Sequence, residues 1–157
     1  MIEAIVVKQF PCGYFTNMKY IFEAIKKDNQ YNWLITDYEC NYYPDDLIKP
    51  NEDYIWLDNE SLVRIVENND IQFIWGVFSG FPKNISKKKI LENNLPYANG
   101  YDGFWSLETN IQHPLAEVEL VSWDSSLFLA ISKNKKIITD IQKNFFHTES
   151  LKEYVDE

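Results

Sequence analysis

Residues 71–79 read Ile-Gln-Phe-Ile-Trp-Gly-Val-Phe-Ser, and from Phe73 onward both alternating faces are apolar. A strand of that kind sits in the middle of a sheet and is covered on both sides, because neither face can be left to water. The chain must therefore build a sheet with material above and below it. Its 157 residues suit one domain. Five Trp, ten Tyr and ten Phe supply enough large apolar surface for such a core, which excludes disorder as the main state.

The other elements follow from periodicity and turn chemistry. Ile2 to Lys8 reads as a β-branched first strand, broken by Pro11-Cys12-Gly13. Thr16 or Asn17 caps a helix carrying Met18, Ile21, Phe22 and Ile25 at helical spacing, ending in Lys26-Lys27-Asp28-Asn29. Trp33 to Glu39 reads as a strand with Trp33, Ile35 and Asp37 on one face. A loop from Asn41 to Asp53 leads into a short strand, Tyr54 to Leu57. Asp58 or Ser61 opens a helix that turns Leu62, Ile65 and Val66 inward, and Pro82 closes the central strand. Ser86 to Glu92 suits one or two helical turns, and Asn93 to Gly103 reads as loop.

Glu117 to Ser122 alternates acid and aliphatic, so one of its faces is expected to meet water. Trp123-Asp124-Ser125-Ser126 joins it to Leu127–Ile131 as an antiparallel hairpin. Ile137, Ile138, Ile141 and Phe145 fit a helix, and Ser150 with Glu153 forms a capping box for a last turn or two. No repeat or linker divides the chain. The expectation is one α+β domain over 1–157, an antiparallel or mixed sheet with helices packed mainly on one face.

Charge is distributed unevenly. The formal net charge is −9, which argues against a generic grip on nucleic-acid phosphates. Ten carboxylates lie between Asp37 and Asp70, where the only cations are Lys49 and Arg64. Tyr38, Tyr42, Tyr43, Tyr54 and Trp56 are interleaved with them, while lysines gather at 83–89 and 133–143. Such a stretch is either a solvated surface that confers solubility or a recognition surface. In the second case acids steer a cationic partner and aromatic rings supply contact area at low entropic cost. Asp45, Asp46, Glu52 and Asp53 are also hard oxygen ligands, but the loop has no Gly and no EF-hand spacing, so no metal site is expected.

Motifs for enzyme chemistry are missing. His113 and His147 stand in no triad or metal spacing, and neither G-x-S-x-G nor a phosphate-binding glycine pattern occurs. Cys12 before a helix start is a weak nucleophile candidate, since its base would have to come from a distant histidine. Two acids facing a cleft, such as Asp37 with Glu39 on a shared strand face or Asp102 beside Tyr101, Phe104 and Trp105, keep open a small hydrolase of sugars or nucleotides. No cofactor is implied. Cys12 and Cys40 are too few to staple the fold and read as separate thiols of a reducing cytosol. The start, Met1 to Lys8, lacks the charge pattern of a signal peptide, and no apolar stretch is long enough to span a membrane. A cytoplasmic location is expected.

With its acidic, Tyr- and Trp-rich stretch from Asp37 to Asp70 and no catalytic motif, the chain resembles the immunity proteins that bacteria make against their own polymorphic or contact-dependent toxins. Separately, Phe73–Lys83 and Val118–Ser125 are similar in layout to a family of small bacterial proteins, a likeness that implies no activity. The first resemblance implies a non-enzymatic binding protein that occludes a basic partner, most specifically a cationic nuclease toxin. Asp37, Glu39, Tyr42, Tyr43, Asp45, Asp46, Glu52, Asp53 and Tyr54 are the residues expected to meet it. The rival expectations are the acidic-cleft hydrolase and an accessory protein whose charge serves solubility alone.

Overall fold

The computed structural model describes residues 2–10, 17–26, 28, 30–45, 47, 53–106 and 108–156. Cys12, Asp46 and Glu52 lie outside the described residues. Seven strands form one antiparallel sheet: β1 (Glu3–Val7), β2 (Tyr31–Cys40), β3 (Tyr54–Asp58), β4 (Phe73–Pro82), β5 (Val118–Trp123), β6 (Leu127–Ser132) and β7 (Thr148–Ser150), in the order β3-β2-β4-β5-β6-β1-β7. The apolar run occupies β4, flanked by β2 and β5, as its two buried faces demand. The architecture is a single α+β domain.

Helices α1 (Met18–Ile25), α2 (Asn59–Asn68) and α4 (Lys135–Asn144) cover one face of the sheet. Met18, Ile21, Phe22 and Ile25 of α1, Leu62, Ile65 and Val66 of α2, and Ile137, Ile138 and Ile141 of α4 meet Trp33, Ile35, Phe73, Phe78, Leu120 and Phe128 in one apolar cluster. Three of these helices' starts are capped by side chains, Asn17 to Lys19 N–H, Asp58 to Ser61 N–H and Asn134 to Lys136 N–H. Gly80 lets the indole of Trp33 lie flat on β4; a Cβ there would stand 3.0 Å from Cζ3 of that ring.

The opposite face is covered differently. The described residues of 83–117 cross it as a lid, and among them the short helix α3 (Lys87–Ile90) and one 3-10 turn, Gly103–Trp105, are the regular structure. Helix α5 (Leu151–Asp156), whose Glu153 N–H is capped by Ser150 Oγ, completes the cover. Ala98, Phe104, Ile111 and Ala116 of the lid pack on Leu34, Val77, Phe81, Val121 and Leu129.

Two expectations are corrected here. Neither face of β5 meets water: Val118 to Ser122 are all buried, and Glu119 is 0 % exposed beneath the lid. Asp37 does not share the face of Trp33 and Ile35. Between Thr36 opposite Val77 and Glu39 opposite Trp75, β2 takes three steps against two of β4, and Asp37 sits at φ 48° in this bulge. The extra residue turns its side chain to the lid side. The β5–β6 hairpin follows expectation, with Asp124 and Ser125 at φ 48° and 55°, the left-handed pair of a tight hairpin turn.

Candidate docking surface at the end of strand β2

The register separates the sheet into two ends. At the first, Cys40 faces Phe73 and the β5–β6 turn closes on Ile74 through Ser125 N–H. At the second, Tyr31 faces Pro82, Asn32 faces Asp58, and Ser132 faces Val118. Lys83, Lys133, Lys135 and Lys136 therefore leave from the second end, whereas Lys87 reaches back over the ring of Tyr54, which faces Thr36. The mid-chain acids divide. Glu39, Asp45, Asp53, Glu67 and Asp70 belong to the first end, whereas Asp58 and Glu60 sit at the second, where Lys83 and Arg64 help hold the Asp58 carboxyl below its ordinary range after its bonds to Ser61. One shared acidic patch from Asp37 to Asp70 is thus not what the fold makes. It makes a smaller one.

At the first end, Glu39, Asp45 and Asp53 are exposed, with Tyr42 at 50 % and Tyr43 at 46 %. The loop that carries the tyrosines is fixed at its root. Asn41 N–H donates to Gln72 O at 3.1 Å, Asn41 Oδ1 accepts from Gln72 N–H at 2.9 Å, and Cys40 N–H donates to Tyr43 Oη at 3.0 Å. A ring held by its hydroxyl, as Tyr43 is, loses little freedom on binding, which favours contact. Asp70 instead accepts from Asn17 Nδ2 at 2.7 Å and ties β4 to the start of α1.

Asp37 proves to be a structural anchor. Its Oδ2 accepts from Ala98 N–H at 2.8 Å and Asn99 N–H at 2.9 Å, pinning the lid to β2. This places Tyr97, 46 % exposed, beside the same strand end as Tyr42 and Tyr43. Sequence reasoning did not single out Tyr97; it lay in an Asn- and Gly-marked loop with nothing local to say which strand it would reach. Tyr54 is only half-buried and belongs to the lid-side cluster, with Lys87 Nζ 5.1 Å above its ring.

Elsewhere, His113 is buried. Leu115 N–H donates to its Nδ1 at 3.1 Å, so Nε2 carries the proton and donates to Ile90 O at 2.9 Å. Burial lowers its pKa, and the ring packs edge-on against Phe81. It is a neutral structural histidine. Cys40 is free and buried, and burial with the charge of Glu39 pushes its thiol up to about 12, far from a reactive thiolate. Grooves of about 390 and 450 Å³ lie away from the β2 end, the first along Glu3, Ser106, Gln142 and Lys152, the second between α1 and α4. Among the described residues no group of three or more potential ligands could hold a metal ion, and no helix is long and apolar enough to cross a membrane.

No protein-family model matches the chain, and neither a curated protein nor a solved structure matches it significantly.

Proposed function

We propose that this is a non-enzymatic binding protein of the bacterial cytosol, most specifically an immunity protein that neutralises a cationic nuclease toxin by covering it. The observation that carries this reading is the gathering, around one end of β2 beside exposed Glu39, Asp45 and Asp53, of Tyr42, Tyr43 and Tyr97, three of the four exposed large apolar side chains among the described residues. Aromatic rings at a fixed loop root supply desolvated contact, and carboxylates around them steer a basic surface during encounter.

The test is capture from the source cells at low salt, then kinetics with the purified partner. A basic partner is expected, whose toxic activity is lost at equimolar inhibitor. Its association should slow by roughly tenfold or more as salt rises and again on Asp45→Lys. Association indifferent to both salt and charge reversal removes this surface from the mechanism.

A further inference from the structure

The lid is joined to the docking surface through one buried carboxylate. Glu119 stands on central β5, facing the lid, and its two oxygens take the backbone N–H groups of Gln112 at 3.0 Å and His113 at 3.1 Å. The Gln112 side chain then clamps Tyr97 from both sides: Tyr97 N–H donates to its Oε1 and its Nε2 donates to Tyr97 O, each at 2.9 Å. The next residue, Ala98, is the one held by Asp37. An unbroken run of hydrogen bonds therefore leads from Glu119 to the exposed Tyr97.

Among the described residues no compensating cation faces Glu119. From β4 it faces Ser79, whose Oγ has no hydrogen-bond partner among the described residues, and from β6 it faces Ile131. From the lid it faces the phenol of Tyr101, itself raised by burial and by the charge of Glu119. The His113 ring points away to Ile90 and Leu115. Among the described residues the favourable partners of the charge are thus the two backbone donors of the lid.

We infer that Glu119 is a proton-responsive anchor of the lid: protonated, it is at ease beneath the closed cover, and ionised, it favours opening and so loosens the placement of Tyr97. The direction follows from linkage. Under the lid, burial outweighs the two backbone bonds and raises the carboxyl from 4.5 to about 7, whereas in an open lid it meets water and returns towards its ordinary value. The closed form binds the proton more tightly, so closure is favoured below about pH 4.5 and progressively lost as pH rises through about 7. The consequence for partner binding rests on the reading of the β2 end as a docking surface; the lid motion itself does not.

Amide hydrogen exchange on the full chain without any partner tests it. Between about pH 5 and about pH 8, protection of the Gln112 and His113 amides, corrected for the chemical exchange rate, should fall by roughly fifty- to a hundredfold. Phe78 in β4 serves as the internal reference and should not follow. Glu119→Gln should abolish the dependence, and Asp37→Asn should keep it on a less protected lid. A flat profile in the native chain, or the same slope in Glu119→Gln, overturns the inference. Should Glu119→Gln not fold, a carbon-13 titration of the native Glu119 carboxyl decides: a midpoint near 7 supports it and one near 4.5 overturns it. Because no partner enters these measurements, they succeed or fail independently of the docking surface, which stands or falls with Asp45→Lys.

Discussion

The two faces of the sheet are covered by different means. On one, three amphipathic helices bring their own backbone hydrogen bonds, so that mostly apolar side chains meet the strands, with the Trp33 indole N–H to Asn59 Oδ1 as a buried polar exception. On the other, a lid with little regular structure arrives with main-chain N–H groups that have no partner of their own. The sheet answers with carboxylates, Asp37 for Ala98 and Asn99, Glu119 for Gln112 and His113. An irregular cover obliges the surface beneath it to carry polar groups, and those groups tie the cover to the sheet through side-chain carboxylates rather than through apolar packing alone.

The sharpest challenge to that contrast is Phe78→Ala on the helix side. Phe78 is fully buried and packs against Phe22 and Phe73 with ring centroids 5.9 and 4.9 Å away. Its removal should cost about 3–5 kcal/mol of global stability by denaturant unfolding. On the lid side the largest effect should depend on pH. Glu119 binds its proton more tightly in the native state, so its contribution is present below about 4.5 and lost as pH rises through about 7. Relative to Glu119→Gln, the native chain should therefore lose about 3 kcal/mol across that window. Unfolding curves whose difference does not change with pH would erase the distinction between the two faces.

Asp37→Ala should be milder. Its carboxylate is exposed, water can replace it at Asn99, and the loss should be about 1 kcal/mol, concentrated in faster exchange at Ala98 and Asn99. A loss as large as that of Phe78→Ala would mean that the lid is part of the cooperative core after all.

The same contrast explains what the sequence reveals. The helix side is legible because Met18, Ile21, Phe22 and Ile25, or Leu62, Ile65 and Val66, repeat at the helical period, and because Asn17 and Asp58 announce the starts. The central position of β4 is legible because both its faces are apolar. The lid side is not, since its order comes from contacts between residues far apart in the chain. Glu119 alternates with Val118 and Leu120 as a half-exposed strand would, and only the arrival of Gln112 and His113 makes its burial tolerable. Asp37 looks like a member of the Trp33 face until the bulge adds a residue. Of the candidate site, Tyr42, Tyr43 and Asp45 were legible as loop chemistry, but Tyr97 depends on the Asp37 anchor and could not be.

The smallest effect is the most discriminating within the docking surface itself. Tyr42 and Tyr43 are exposed to nearly the same degree, yet among the described residues it is Tyr43 whose hydroxyl is tied into the fold, accepting Cys40 N–H where β2 ends. Tyr43→Phe leaves that donor to water or to nothing and should cost about 0.5–1.5 kcal/mol. Tyr42→Phe should change stability by less than about 0.5 kcal/mol. If partner contact is made by the rings, both variants should retain association rates close to native, because the ring remains, whereas Tyr42→Ala should speed dissociation without touching stability. An equal stability loss in both phenylalanine variants would show that the loop root is held by something other than the Cys40–Tyr43 bond, and would remove the rigidity on which the low entropic cost of this surface depends.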